Sequence, residues 1–222
     1  MKLGIFGGAF NPIHYGHLRT AEEIFELLGL DGVLFIPSGN PPFDKPDLER
    51  AVHRYNMVKE AIRDNPHFKI SDIEMSTKGR SYSVDTLKRL GREFKGTEFF
   101  FILGIDAFLD LPKWKQPERL INLTNIVIMS RPGFKFTDLL SSPYLADVSQ
   151  GPLRELDRGA RVEFSFPLSE RQKGFLCRVT ELNISASRIR ELVKEGRSIK
   201  YLLPDSVKSY IISHKLHIKR GK

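Results

Sequence analysis

Short apolar runs alternate with segments of helical periodicity from residue 3 to residue 129, and that alternation restricts the fold more than any other feature of the chain. Residues 3–6 form an apolar run that ends at Gly7-Gly8, which predicts a buried strand entering a tight, phosphate-sized turn. Over residues 16–28 the apolar positions Leu18, Ala21, Ile24, Phe25, Leu27 and Leu28 recur at helical spacing, with Gly29 as the stop. The same sequence of signals follows: a strand at 33–36, a helix at 49–64 closed by Asn65-Pro66, an extended stretch at 68–71 and a helix at 83–94. Two nearly all-apolar runs, 98–103 and 125–129, read as strands buried on both faces. Strands alternating with helices predict a doubly wound α/β fold, its sheet mostly parallel and covered by helices on both faces. Ligands are then expected beyond the carboxyl ends of the strands.

At 222 residues there is room for one sizeable core, so a single domain spanning 1–222 is expected. Residues 131–160 have the weakest periodicity and are broken by Pro132-Gly133, Ser141-Ser142-Pro143 and Gly151-Pro152, so the stretch 131–180 is predicted to be largely a surface excursion. Within it, residues 161–166 alternate as a strand does, and a C-terminal helical region is expected over 185–216. The first residues lack the apolar core and cleavage site of a signal peptide, and no run approaches the ~18 apolar residues of a membrane span. A cytoplasmic protein without membrane contact is therefore expected. The single cysteine, Cys177, rules out an intramolecular disulfide and reads as a buried, inert thiol.

A formal charge of +8 makes polyanions favourable partners, nucleotide phosphates and nucleic acid alike. A nucleic-acid-binding module would carry a recognisable motif, and the chain has none, so nucleic acid is not an expected partner. The sequence is compatible with an oligomer.

Gly7-Gly8-Ala9-Phe10-Asn11-Pro12-Ile13-His14-Tyr15-Gly16-His17 places glycines and two histidines between a strand and a helix start. Glycines admit close approach of backbone N–H groups, the helix N-terminus adds positive potential, and an imidazole can donate to a phosphoryl oxygen. The spacing is neither Gly-x-Gly-x-x-Gly nor a Walker loop, which argues against a dinucleotide-dependent dehydrogenase and a P-loop enzyme. Near the other end, Asn183-Ile184-Ser185-Ala186-Ser187-Arg188-Ile189-Arg190 precedes a helical stretch. A serine N-cap, a second serine in the first turn and an arginine one turn on can aim hydroxyls, backbone donors and a guanidinium at one anion.

Together these segments resemble the His-x-Gly-His and Ile-Ser-x-Ser/Thr-x-Ile-Arg signatures of the nucleotidylyltransferase superfamily, whose Rossmann-like fold agrees with the pattern above. The resemblance is closest to the bacterial nicotinate-nucleotide adenylyltransferases. It is also carried by residues 35–42, by Arg50-x-x-x-Arg54-x-x-Met57, by residues 79–87 and by Gly104-Ile105-Asp106 with Trp114 eight residues later. It implies transfer of AMP from ATP to nicotinate mononucleotide, giving nicotinate adenine dinucleotide and pyrophosphate. The alternatives are the same chemistry on nicotinamide mononucleotide or on phosphopantetheine; the latter enzymes are compact and lack the Trp114 and 81–86 segments.

The resemblance further implies that His17 and His14 are catalytic. Gly7, Gly8, Phe10, His14, His17, Gly104, Asp106, Ile184, Ser185, Ser187 and Arg190 would bind ATP. Lys45, Tyr82, Thr86 and Trp114 would bind the acceptor, with Trp114 stacking on the pyridine ring and Thr86 with neighbouring amides meeting its carboxylate. Mg²⁺, largely water-coordinated, would accompany ATP with no dedicated protein cage. Three departures stand out. Pro42-Phe43-Asp44-Lys45 replaces the family's Pro-Pro-His-Lys, leaving Lys45 to take the histidine's part; Asn11 replaces the commoner aspartate and Ala9 a threonine near the first turn; and residues 134–180 do not match the family pattern.

Overall fold

A computed structural model describes residues 1–42, 47–76 and 79–218. Seven strands form one sheet: β1 (Lys2–Gly8), β2 (Gly32–Pro37), β3 (Phe68–Ile70), β4 (Glu98–Gly104), β5 (Asn125–Met129), β6 (Glu163–Pro167) and β7 (Lys173–Cys177). Their order is β3-β2-β1-β4-β5-β7-β6, parallel throughout except for β6 against β7. The order reverses direction between β1 and β4, where a doubly wound sheet opens a crevice at its strand ends. Gly8 closes β1 and Gly104 closes β4 at that crevice.

Alternation along the strands divides the apolar side chains between two layers. One face carries Leu3, Ile5, Phe101 and Leu103, covered by Val84, Leu87 and Leu90 of α3 (Ser83–Glu93) and by Phe108 of α4 (Ile105–Leu109). Leu120 and Ile121 of α5 (Pro117–Ile121) complete the cover beside α3. The other face carries Phe6, Val33, Phe35 and Ile102 beneath α1 (Tyr15–Leu27) and α2 (Ala51–Ile62). The helices over residues 185–216 belong to this second layer: α7 (Ala186–Lys194) contributes Ile189 and Leu192, and α8 (Asp205–Ser213) contributes Val207 and Ile211.

The stretch after β5 departs from the surface excursion expected of 131–180. Two 3₁₀ turns, Phe136–Ser141 and Pro143–Leu145, precede α6 (Gln150–Arg158), and Phe136, Leu139, Leu145, Leu153 and Leu156 are all buried in the first core layer. The carboxylate of Asp157 ties the two parts together by accepting from the N–H groups of Phe136 at 2.6 Å and Thr137 at 3.2 Å. Each piece repeats its helical period at most about twice, which is why the sequence alone reads as irregular. The antiparallel pair β6–β7 then extends the sheet, with the Phe166 ring lying over Gly174 where any side chain would collide with it. Cys177 is buried, and burial raises its thiol pKa. Among the described residues, no helix is long and apolar enough to cross a membrane.

Candidate active site

A cleft of about 780 Å³ opens at the strand-order reversal, within the size range of small-molecule sites. Its lining includes Gly7, Gly8, Phe10, His14, His17, Gly104, Asp106, Ile184, Ser185, Ser187 and Arg190. All the residues predicted to bind ATP are thus brought together, from both ends of the chain.

The first motif forms the turn from β1 into α1. At Gly8 the Phe10 ring lies close, 3.2 Å from where a Cβ would stand, so a side chain there would crowd it. Phe10 itself turns inward, buried edge-on to Phe6 and His17 with centroids 5.7 and 5.2 Å away. Its backbone lies in the left-handed region, at φ 45°, where it lines the cleft. His14 is the N-cap of α1, and its N–H donates to Nδ1 of His17 at 3.3 Å. The two rings lie 3.8 Å apart. Because Nδ1 of His17 accepts, its proton sits on Nε2 in the neutral ring.

Both rings are held neutral. Burial, and secondarily the Arg131 cation, lowers the pKa of His14 to about 4. Burial, then His14, then Arg131 hold that of His17 well below its ordinary value. Nδ1 of His14 is buried without a hydrogen-bond partner.

Asn11 has a structural explanation. Its side-chain oxygen accepts from Glu49 N–H at 3.2 Å and its amide donates to Asp47 O at 2.9 Å, a pairing of roles an aspartate could not fill.

The second motif starts α7. Ser185 is the N-cap, its hydroxyl oxygen accepting from Arg188 N–H at 3.2 Å, so its own proton remains available to donate. Arg190 donates from Nη1 to Asn11 O at 2.9 Å and from Nη2 to Ser187 Oγ at 3.3 Å, while its Nε is buried without a partner. Gly16, between the two histidines, lies so close to the second motif that a Cβ there would stand 3.8 Å from Ile184 O and 3.0 Å from His14 Nδ1.

At the end of β4, a Cβ on Gly104 would meet Asp106 Oδ1 at 2.5 Å and Arg131 Cδ at 3.0 Å. Asp106 and Arg131 form an ion pair at 3.1 Å, and Oδ1 of Asp106 has no hydrogen-bond partner. Arg131 lines the cleft and was not foreseen as a site residue. The signal that could have found it is its place just past β5, at the carboxyl end of a parallel strand.

Tyr82, Thr86 and Trp114 lie outside this lining, and Lys45 lies outside the described residues. Trp114 is half-buried, edge-on to Phe101 with centroids 6.4 Å apart. Phe101 in turn reaches within 3.6 Å of where a Cβ on Gly7 would be, so Gly7 stands between the cleft and the Trp114 side. Tyr82 is the N-cap of α3, and Lys115 Nζ lies 4.3 Å over its ring. The Thr86 hydroxyl donates to Glu74 Oε1 at 2.7 Å, which commits the one proton it has.

Comparison with known proteins agrees with this geometry. Residues 5–192 match the cytidylyltransferase-like family model. The chain is 42% identical over 220 residues to a probable nicotinate-nucleotide adenylyltransferase of Geotalea uraniireducens, covering 98% of each chain. It is 38% identical over 222 residues to the Geobacter sulfurreducens protein of the same description, covering both completely. In fold it is similar to the Plasmodium falciparum nicotinic acid mononucleotide adenylyltransferase complexed with NaAD, with TM-score 0.71, 23% identity and 97% of each chain covered. With sequence identity sustained over its full length and both signature segments meeting in one cleft, the chain belongs to the nicotinate-nucleotide adenylyltransferases of the cytidylyltransferase-like family.

Proposed function

We propose that this chain joins the AMP part of ATP to nicotinate mononucleotide, releasing pyrophosphate and forming nicotinate adenine dinucleotide, a step of NAD biosynthesis. The observation that carries the mechanism is the convergence of His14, His17, Ser185, Ser187 and Arg190 on one cleft. An oxygen of the acceptor's phosphate attacks the α-phosphorus of ATP; the bond from that phosphorus to the bridging oxygen breaks, and pyrophosphate leaves with the electron pair. No side chain needs to form a covalent intermediate. Catalysis is then positioning and charge stabilisation.

His17 donates from Nε2 to an α-phosphoryl oxygen. Its neutral state suits this role, since a neutral donor costs no proton exchange when the triphosphate arrives. Ser185, Ser187 and Arg190 hold the β- and γ-phosphates at the start of α7, where the helix end adds positive potential. Asp106 Oδ1, unpartnered in the cleft, accepts from a ribose hydroxyl, and Gly104 leaves the space that hydroxyl needs.

Mg²⁺ would accompany ATP as its counter-ion. Among the described residues no group of three His, Cys, Asp or Glu side chains is placed to hold a cation; triphosphate oxygens and water would supply most of its ligands. When bound it neutralises charge on the departing pyrophosphate.

On the acceptor side, Trp114 stacks on the pyridine ring and Tyr82 borders it. The ring carboxylate is met by N–H groups at the start of α3. The Thr86 hydroxyl cannot donate to it while donating to Glu74. Pyrophosphate release measured with ATP, Mg²⁺ and each pyridine mononucleotide tests the assignment. The nicotinate form is expected to give the higher kcat/KM by about tenfold or more, a difference of ~1.4 kcal/mol in transition-state binding; equal or reversed values would refute it.

A further inference from the structure

Arg54 is the largest fully buried side chain among the described residues, and nothing in the roles above employs it. It projects from α2 into the gap between two loops. Nη1 donates to Ala9 O at 2.8 Å, in the turn that carries the phosphate-binding glycines, and to Ser38 Oγ at 3.3 Å. Nη2 donates to Ser38 O and to Gly39 O, the latter at 3.1 Å, in the loop that leaves β2. Nε donates to Glu49 O at 2.9 Å, so every nitrogen of the guanidinium is used.

The loop leaving β2 passes this constraint on. Gly39 N–H donates to Glu74 Oε2 at 3.3 Å, and the other oxygen of Glu74 takes the Thr86 hydroxyl proton. Asn40 and Ser81 add a reciprocal pair, Ser81 N–H to Asn40 O at 2.7 Å and Asn40 N–H to Ser81 Oγ at 3.3 Å. Gly39 is pressed so closely on the Glu74 carbonyl that no side chain fits there. A continuous series of short polar contacts thus runs from Ala9, at the nucleotide cleft, through Arg54, Gly39 and Glu74 to Thr86.

The geometry points to Arg54 as a positioning residue for adenylyl transfer: by gripping both loops with one rigid fork, it sets the span between the α-phosphate and the attacking acceptor. This rests on the acceptor-side reading given above for what stands beyond Gly39. A planar guanidinium with fixed donor directions suits the task, and a lysine ammonium, though equally charged, cannot reproduce the fork. In-line displacement is sensitive to small errors of separation, so the cost of losing the fork falls on turnover more than on binding.

Steady-state kinetics of Arg54→Lys test the proposal, together with quenching of the single tryptophan, Trp114, on titration with nicotinate mononucleotide. The expected result is kcat reduced about tenfold or more, both KM values within about threefold, and the quenching midpoint unchanged. A kcat within about twofold of the parent, or higher KM values with kcat intact, overturns it. If Arg54→Lys does not fold, Glu74→Gln carries the test, since it weakens the same series of contacts at a half-buried position. There a kcat reduced about threefold with the KM for ATP unchanged supports the proposal, and an unchanged kcat overturns it. Absence of quenching in the parent protein refutes the acceptor-side reading alone; the kcat comparison still decides Arg54.

Discussion

Arg190 donates a hydrogen bond from Nη1 to the main-chain oxygen of Asn11 at 2.9 Å, across 179 positions of sequence. The bond joins the start of α7 to the turn after β1, closing the cleft on the side where the triphosphate is proposed to lie. With Nε left buried and unpartnered, the guanidinium retains a donor for an incoming anion.

Arg190→Ala removes both that donor and the tie to Asn11. The expected outcome is a KM for ATP raised about tenfold or more, with a smaller change in kcat, because the lost contact acts equally on bound ATP and on the transition state. Initial rates across an ATP series check it, and an unchanged KM would count against the role.

His17→Ala removes the donor assigned to the α-phosphoryl oxygen. Loss of one such preorganised donor lowers kcat by about 10²-fold, the scale of ~3 kcal/mol. Single-turnover rates at saturating substrates measure this directly, and near-normal turnover would take His17 out of the mechanism.

Gly104→Ala places a methyl group 2.5 Å from Asp106 Oδ1 and 3.0 Å from Arg131 Cδ, so the Asp106–Arg131 ion pair must shift. Strain on the order of 1–3 kcal/mol is expected, with weaker ATP binding because the ribose acceptor moves. Calorimetric titration with a non-hydrolysable ATP analogue checks the affinity; binding as tight as in the parent would show that the space above Gly104 is not needed.

Stability should fall in acid partly through His14. Its ordinary pKa of 6.5 is lowered to about 4 in the folded chain, chiefly by burial. Above pH 6.5 both folded and unfolded chains carry a neutral ring, and the fold loses nothing. As the pH drops from 6.5 towards 4 the unfolded chain takes up the proton while the folded one resists it, at a cost of about 3 kcal/mol once the window is crossed. Denaturant midpoints between pH 7 and about pH 4 should decline less steeply in His14→Gln than in the parent. Parallel curves would contradict the burial account.

The elements legible in the sequence were those whose signal is complete within a few residues. Strands β1, β2, β4 and β5 are continuous apolar runs, and α1, α2 and α3 display enough turns for their periodicity to show. Residues 136–156 packed into the core unseen, because two 3₁₀ turns and a nine-residue helix bury only one or two side chains each, too few for a periodic pattern to stand out. Strand β7, with a glycine beneath Phe166, acquires its packing from the strands on either side of it, β5 and β6, both outside its own local pattern.

The residue types and local spacing of His14, His17, Ser185 and Arg190 were set by sequence alone, since glycine turns and helix caps need only their immediate neighbours. That these two segments share one cleft was decided by the sheet order, which brings the ends of β1 and β4 together and returns α7 beside them. The parts played by Arg131, Arg54 and Glu74 likewise depend on contacts between distant segments. A charge's partner and its degree of burial are properties of the packed molecule, and no local pattern in the chain encodes them.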